Sequence, residues 1–76
     1  MFELVDLLVK QFVPAESYEI VIIEDGDEVD IRVMVDKDEV AKVIGHSGKI
    51  AKAIRTLVRS ASQNYDKNYS VFVEER

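Results

Sequence analysis

Asp25-Gly26 stands between two stretches whose side chains alternate with a period of two, and that arrangement leaves a chain few ways to fold. Before it, Tyr18, Ile20 and Ile22 alternate with Glu19, Val21 and Ile23. After it, Val29, Ile31, Val33 and Val35 alternate with Asp30, Arg32, Met34 and Asp36. Such a period places each set on one face of a β-strand. Asp-Gly is a favoured centre for a two-residue type I′ turn, because glycine takes positive φ without a Cβ clash. The pattern therefore predicts a hairpin. Its expected register pairs Ile22 with Val29, Ile20 with Ile31 and Tyr18 with Val33. On the opposite face Glu19 then meets Arg32, an opposite-charge cross-strand pair.

Helical spacing flanks the hairpin. Val5, Leu8, Val9 and Phe12 recur at helical intervals between Phe2 and Val13, and Pro14 closes that segment. Asp36 followed by Glu39 resembles a capping box, predicting a short helix to about Val43 or Ile44 with Gly45 as its C-cap. A further helix is expected from about Ser47 or Gly48 to Gln63. Its apolar face is Ile50, Ala53, Ile54, Leu57 and Ala61, with Lys52, Arg55 and Arg59 opposite. Tyr69, Val71 and Val73 alternate with Ser70, Phe72 and Glu74 in a last strand. The expected fold class is α+β, with the order α-β-β-α-α-β, a three-stranded mixed sheet and the helices packed on one face. Seventy-six residues suffice for a single domain, 1–76, with a small core.

The charge distribution matters more than its sum. A net charge of −5 would by itself argue against nucleic acid. Between Lys42 and Asn64, however, Lys42, Lys49, Lys52, Arg55 and Arg59 stand with no acid, so this segment carries +5 and the remainder −10. Within it lies Val43-Ile44-Gly45-His46-Ser47-Gly48-Lys49-Ile50. Two glycines bracket a short polar turn that opens onto a helix start, where free N–H groups and the helix dipole attract anions. Absence of Cβ at both ends lets a sugar-phosphate backbone come close. A plain turn between helices uses the same four residues, and on them alone it is the commoner explanation.

Taken with the element order, the run from Lys42 to Lys49, followed by Ala51-Lys52-Ala53-Ile54-Arg55, resembles the K-homology (KH) domain in its type II topology. More narrowly it resembles the small single-domain bacterial KhpA family. The resemblance implies a GXXG loop that clamps about four nucleotides of single-stranded RNA. It also implies cytoplasmic RNA-chaperone or post-transcriptional work, as a homodimer or a heterodimer with another KH-containing protein. The residues it assigns to RNA are Lys42, Ile44, Gly45, His46, Ser47, Gly48, Lys49, Lys52 and Arg55. Ile44 fits the groove floor, with Val43, Ile50, Val33 and Val35 as candidate neighbours. One departure is that His46 and Ser47 occupy loop positions where the family usually has a Lys or Arg.

Other chemistries are poorly supported. The chain has one His and no Cys, which removes a disulfide framework, a thiolate nucleophile and an ordinary zinc site. No cofactor is expected. His46 has no evident acid or nucleophile partner for catalysis, so an enzyme is not expected. Asp25, Asp27 and Glu28 lack a loop long enough to wrap calcium. Gly48-Lys49 lacks the upstream Gly and following Ser/Thr of a P-loop. Glu3 and Asp6 stand where a signal peptide would be basic, and no apolar run reaches the roughly 20 residues of a membrane span. The alternative function is a KH-fold protein-interaction or scaffold module, using Val21, Ile23, Met34 and Phe72 on the strand face away from the helices.

Overall fold

The central strand carries the most regular alternation in the chain, and the rest of the fold is arranged around it. The structure is a computed structural model describing residues 1–76. Helix α1 (Phe2–Val9) leads through a 3-10 turn (Ala15–Ser17) to strand β1 (Tyr18–Asp25) and strand β2 (Glu28–Val35). Helix α2 (Val40–Ile44), a 3-10 turn (His46–Gly48), helix α3 (Lys49–Ser62) and strand β3 (Asn68–Glu75) complete it. Sheet order is β1-β2-β3; β1 runs antiparallel to β2, and β3 parallel to it. A parallel neighbour needs a crossover connection, which α2 and α3 supply.

Val29, Ile31, Val33 and Val35, all on one face of β2, are buried essentially completely. Val5 and Val9 of α1, Val43 of α2, Ile54 and Val58 of α3 and Val71 of β3 join them in one core. The helices therefore share that face of the sheet. Most of these side chains are valines, whose stiff χ1 suits a pleated surface and loses little rotamer entropy on burial. Two polar ties close the layers. Tyr18 donates its hydroxyl to Asp6 Oδ1 at 2.6 Å, joining β1 to α1. Arg76 donates Nε to Asp36 Oδ1 at 2.7 Å and its backbone N–H to the Val35 carbonyl at 2.9 Å.

Four local expectations are corrected. The hairpin forms, but the register is Tyr18–Val35, Ile20–Val33 and Ile22–Ile31, with a Gly26-Asp27 loop. Only Gly26 has positive φ (61°) in that loop, so glycine sits first, as in a type II′ turn; type I′ would require positive φ at both positions. The slip is two residues, so every side chain keeps its face. Glu19 then meets Met34, and Arg32 pairs instead with Glu74 on β3 at 3.4 Å. Helix α1 ends at Val9, ahead of a tight turn through Val13, whose α conformation Pro14 disfavours. The capping box does not form: the Asp36 carboxylate is held by Arg76, and its carbonyl accepts the N–H groups of Glu39 and Val40. Finally, α3 buries Ala51, Ile54 and Val58, while Leu57 remains 48% exposed. Helix α3 faces the sheet on one stripe and α1 on another. Ile50, Ala53 and Leu57 lie on the second, lining a groove with Leu8 and Phe12.

Candidate nucleic-acid interface

Two glycines shape the turn between α2 and α3 for different physical reasons. Gly45 adopts φ 78°, ψ 173°, a region essentially closed to L side chains. A Cβ there would lie 2.6–2.9 Å from Ile50 Cγ1, Cβ and Cδ1, so the turn packs directly on the first residues of α3. Gly48 has φ 74°, ψ 13°, and a Cβ there would meet nothing within 4 Å. Gly45 is required by packing, Gly48 by backbone conformation beside open space. Ser47 is the one non-glycine residue with positive φ (56°), a conformation that sterics make uncommon. The Gly48 N–H donates to the Gly45 carbonyl at 3.1 Å and fixes the loop shape.

Ser47 does not cap α3. The N-cap residue is Gly48 and no side chain bonds the first turn, so the positive end of the helix is left without a side-chain acceptor. His46 and Ser47 are exposed, and so is Ile44 at 37%. Val43, Val33 and Val35 are fully buried; of the candidate floor residues, only Ile44 and half-buried Ile50 reach the surface.

The cations divide into two groups. Lys42 is exposed but ion-paired with Glu39 at 2.7 Å across one helical turn. Lys49, Lys52, Arg55 and Arg59 are exposed along α3, and none has a carboxylate within 4 Å. Arg55 reaches across to β3, donating Nε to the Val71 carbonyl at 3.1 Å. Arg55 and Arg59 line one wall of a cleft of about 240 Å³ whose other wall is Tyr69–Phe72 of β3. Strand β3 is the sheet edge here. Asn68 and Arg76 donate their N–H groups to carbonyls on the β2 side, so the backbone polar groups of Tyr69, Val71 and Val73 face away from the sheet, into or beside that cleft.

Of the residues assigned from sequence, the structure places Gly45, His46, Ser47 and Gly48 in the turn, Lys49, Lys52 and Arg55 along α3, Ile44 exposed at the end of α2 and Lys42 in an ion pair with Glu39. The sequence assignment did not include the β3 edge, and it counted Arg59 in the basic run but not among the RNA-contacting residues. The i, i+4 spacing of Arg55 and Arg59 was a usable signal, whereas a free β3 edge depends on strand order, which no local pattern reveals. No group of His, Cys, Asp or Glu side chains is placed to hold a metal ion, and no helix is long and apolar enough to cross a membrane.

The arrangement offers an anion a bare glycine turn, an uncapped helix start and four cations without a carboxylate partner, two of which, Arg55 and Arg59, stand beside the edge strand β3. A family model described as "KhpA/KhpB, KH domain" matches residues 3–73. The chain is 34% identical over 76 residues to "RNA-binding protein KhpA" of Listeria monocytogenes serovar 1/2a, covering 99% of this chain and 100% of that one. It is 33% identical over 72 residues to the protein of the same name from Clostridium perfringens strain 13, covering 93% and 96%. This is not an enzyme family, and the helix-strand-strand-helix-helix-strand order with its mixed sheet is that of a type II KH fold. On these grounds the chain belongs to the KhpA/KhpB family of KH-domain proteins.

Proposed function

We propose that the protein binds single-stranded RNA, with the backbone held at the Gly45-His46-Ser47-Gly48 turn and the strand continuing along α3 into the cleft beside β3. The observation that carries this reading is the row of unpaired cations, Lys49, Lys52, Arg55 and Arg59, leading away from the uncapped α3 start. Phosphate gains there both from the helix end and from charge that no carboxylate neutralises. Bases splayed into the cleft meet the outward N–H and C=O groups of β3, and a single strand exposes the base edges such groups can reach. The names of the relatives support RNA as the ligand. Ile44, exposed at the end of α2, gives a base at the turn an apolar contact. Lys42 stands near the entry, its charge shared with Glu39.

A single module gripping about four nucleotides binds weakly, and avidity from a second KH unit, in a homodimer or a heterodimer, raises retention without new contacts. The groove of Leu8, Phe12, Ala53 and Leu57 offers apolar surface for such pairing. Residues 1–76 then act as one RNA-binding unit in cytoplasmic RNA chaperoning or post-transcriptional control. The test is fluorescence anisotropy with a mixed-sequence single-stranded RNA across a salt series. Four phosphate contacts at about −0.7 each predict a slope of log K against log salt of about −2.8. A slope near zero rejects the electrostatic basis of the proposal.

A further inference from the structure

Strand β1 is the other edge of the sheet, on the far side of β2 from the β3 cleft. Its packing partners are chiefly β2 and, at its start, the Ala15–Ser17 turn; no helix covers its distal half. Ile22 is 40% exposed on the helix-side face and Ile23 46% exposed on the other, so the strand shows apolar surface on both sides of an open backbone edge. Hydrogen bonds around it fix which backbone groups point outward. The Asp36 N–H donates to the Ser17 carbonyl and the Arg76 N–H to the Val35 carbonyl. Antiparallel alternation from these positions turns the N–H and C=O of Ile20, Ile22 and Glu24 away from β2. Edges of this length are ordinarily blunted by charged side chains, a proline, a bulge or a covering element; of these β1 has only charge, and all of it acidic.

Charge selects the occupant. Glu19, Glu24 and Asp25 lie on β1 with no base among them, and Asp27 and Glu28 continue the acidic run at the hairpin tip. Lys67 is the one base that reaches this edge, 3.5 Å from Glu24. A second copy of β1 is opposed by the same charges. Antiparallel self-pairing must set outward-facing residues opposite one another: centring on Ile22 places Glu19 against Asp25 twice, and centring on Val21 leaves Glu19 and Asp25 as diagonal neighbours twice. RNA is repelled outright. An extended chain bearing lysine or arginine meets apolar side chains, free backbone groups and opposite charge together.

We infer that the β1 edge docks an extended, basic segment of a partner protein as a fourth strand, leaving the α3–β3 surface free. Main-chain hydrogen bonds supply the affinity in such strand addition, and alternate side chains supply the selectivity. The eight residues of β1 span about 26 Å, so the docked segment is of similar length. Both ligands can be held at once, because β2 separates the two edges.

The experiment titrates the intact, isotopically labelled protein with a synthetic ten-residue peptide alternating Val or Thr with Lys, and in parallel with its Glu-for-Lys counterpart. Expected are saturable shifts and slowed hydrogen exchange at the amides of Ile20, Ile22 and Glu24 with the Lys peptide only, and no change at Gly48 or Lys49. Ile22→Pro removes an outward N–H while sparing the β2 ladder, and loses roughly fivefold or more in affinity. Ile23→Lys, at an exposed side chain, weakens the Lys peptide several-fold with the fold intact, and carries the test if the proline variant unfolds. Equal binding of the Glu peptide, no saturable shift at these amides, or their movement by RNA instead overturns the inference. So does protection of the same amides in a self-associated protein without peptide.

Discussion

Replacing Gly45 by alanine should damage the fold far more than the same change at Gly48, although both glycines belong to one four-residue turn. At Gly45 the new methyl would sit 2.6 Å from Ile50 Cγ1, 2.8 Å from its Cβ and 2.9 Å from its Cδ1, in a backbone region that only glycine occupies comfortably. Backbone strain of about 1–3 kcal/mol and overpacking of about 1–3 kcal/mol add to about 2–6 kcal/mol. A chain of 76 residues has only about 4–11 kcal/mol of stability to lose. At Gly48 there is no contact within 4 Å. The cost is the left-handed conformation, about 1–2 kcal/mol, partly offset by a stiffer unfolded chain. Urea titration and thermal melting measure both. With about 4–8 °C per kcal/mol for a domain of this size, Gly48→Ala should lower Tm by about 4–8 °C and Gly45→Ala by at least about 8 °C. On an Ile50→Ala background Gly45→Ala should cost less, because two of its three clashing atoms are gone; the retained Cβ limits that relief. Equal losses at the two glycines, or strict additivity with Ile50→Ala, would refute the reasoning.

The other perturbations test separate parts of the account. Tyr18 has its hydroxyl pushed up from 10.0 to about 12, by burial first and then by the Asp6 carboxylate that accepts its hydrogen bond. The raised value means its stabilisation is complete below pH 10 and lost as pH climbs from 10 to 12. Tyr18→Phe should therefore cost about 1–2 kcal/mol at neutral pH and flatten alkaline unfolding in that window, read by circular dichroism. Lys42→Ala should weaken RNA binding less than Lys52→Ala, because Lys42 already shares its charge with Glu39 at 2.7 Å; anisotropy at fixed salt ranks them. His46→Lys should tighten binding severalfold at low salt and steepen the salt slope by about 0.7, since the position is exposed and next to the uncapped α3 start.

What the sequence made legible follows the range of the interactions involved. Element order and side-chain faces came from periodicity, which local sterics and burial enforce, and they appear as expected in β2, with its fully alternating burial. Hairpin register was misjudged because Asp25-Gly26 and Gly26-Asp27 both satisfy the need for glycine at positive φ, and only turn type separates them. The Asp36 cap failed because its carboxylate is claimed by Arg76, forty residues away. Helix α3 was the hardest case. Ile50, Ala53, Ile54, Leu57 and Ala61 form one apolar face on a helical wheel, yet α3 meets two neighbours, and of that face only Ile54 is fully buried, together with Ala51 and Val58. The turn residues were legible because glycine spacing is a backbone requirement. The β3 half of the cleft was not, because it exists only after the crossover places β3 beside β2.

The central claim, that RNA is held at the Gly45–Gly48 turn, is tested most directly by His46→Asp combined with Ser47→Asp. Both side chains are exposed, and Ser47 makes no capping bond that the change would remove. Aspartate also tolerates the positive φ of position 47 better than most residues. The fold should thus survive while two carboxylates repel phosphate from the α3 start. Anisotropy with single-stranded RNA should show binding weakened at least tenfold, alongside an unchanged circular dichroism spectrum and nearly unchanged Tm. A folded double variant that binds RNA like the parent protein would contradict the account.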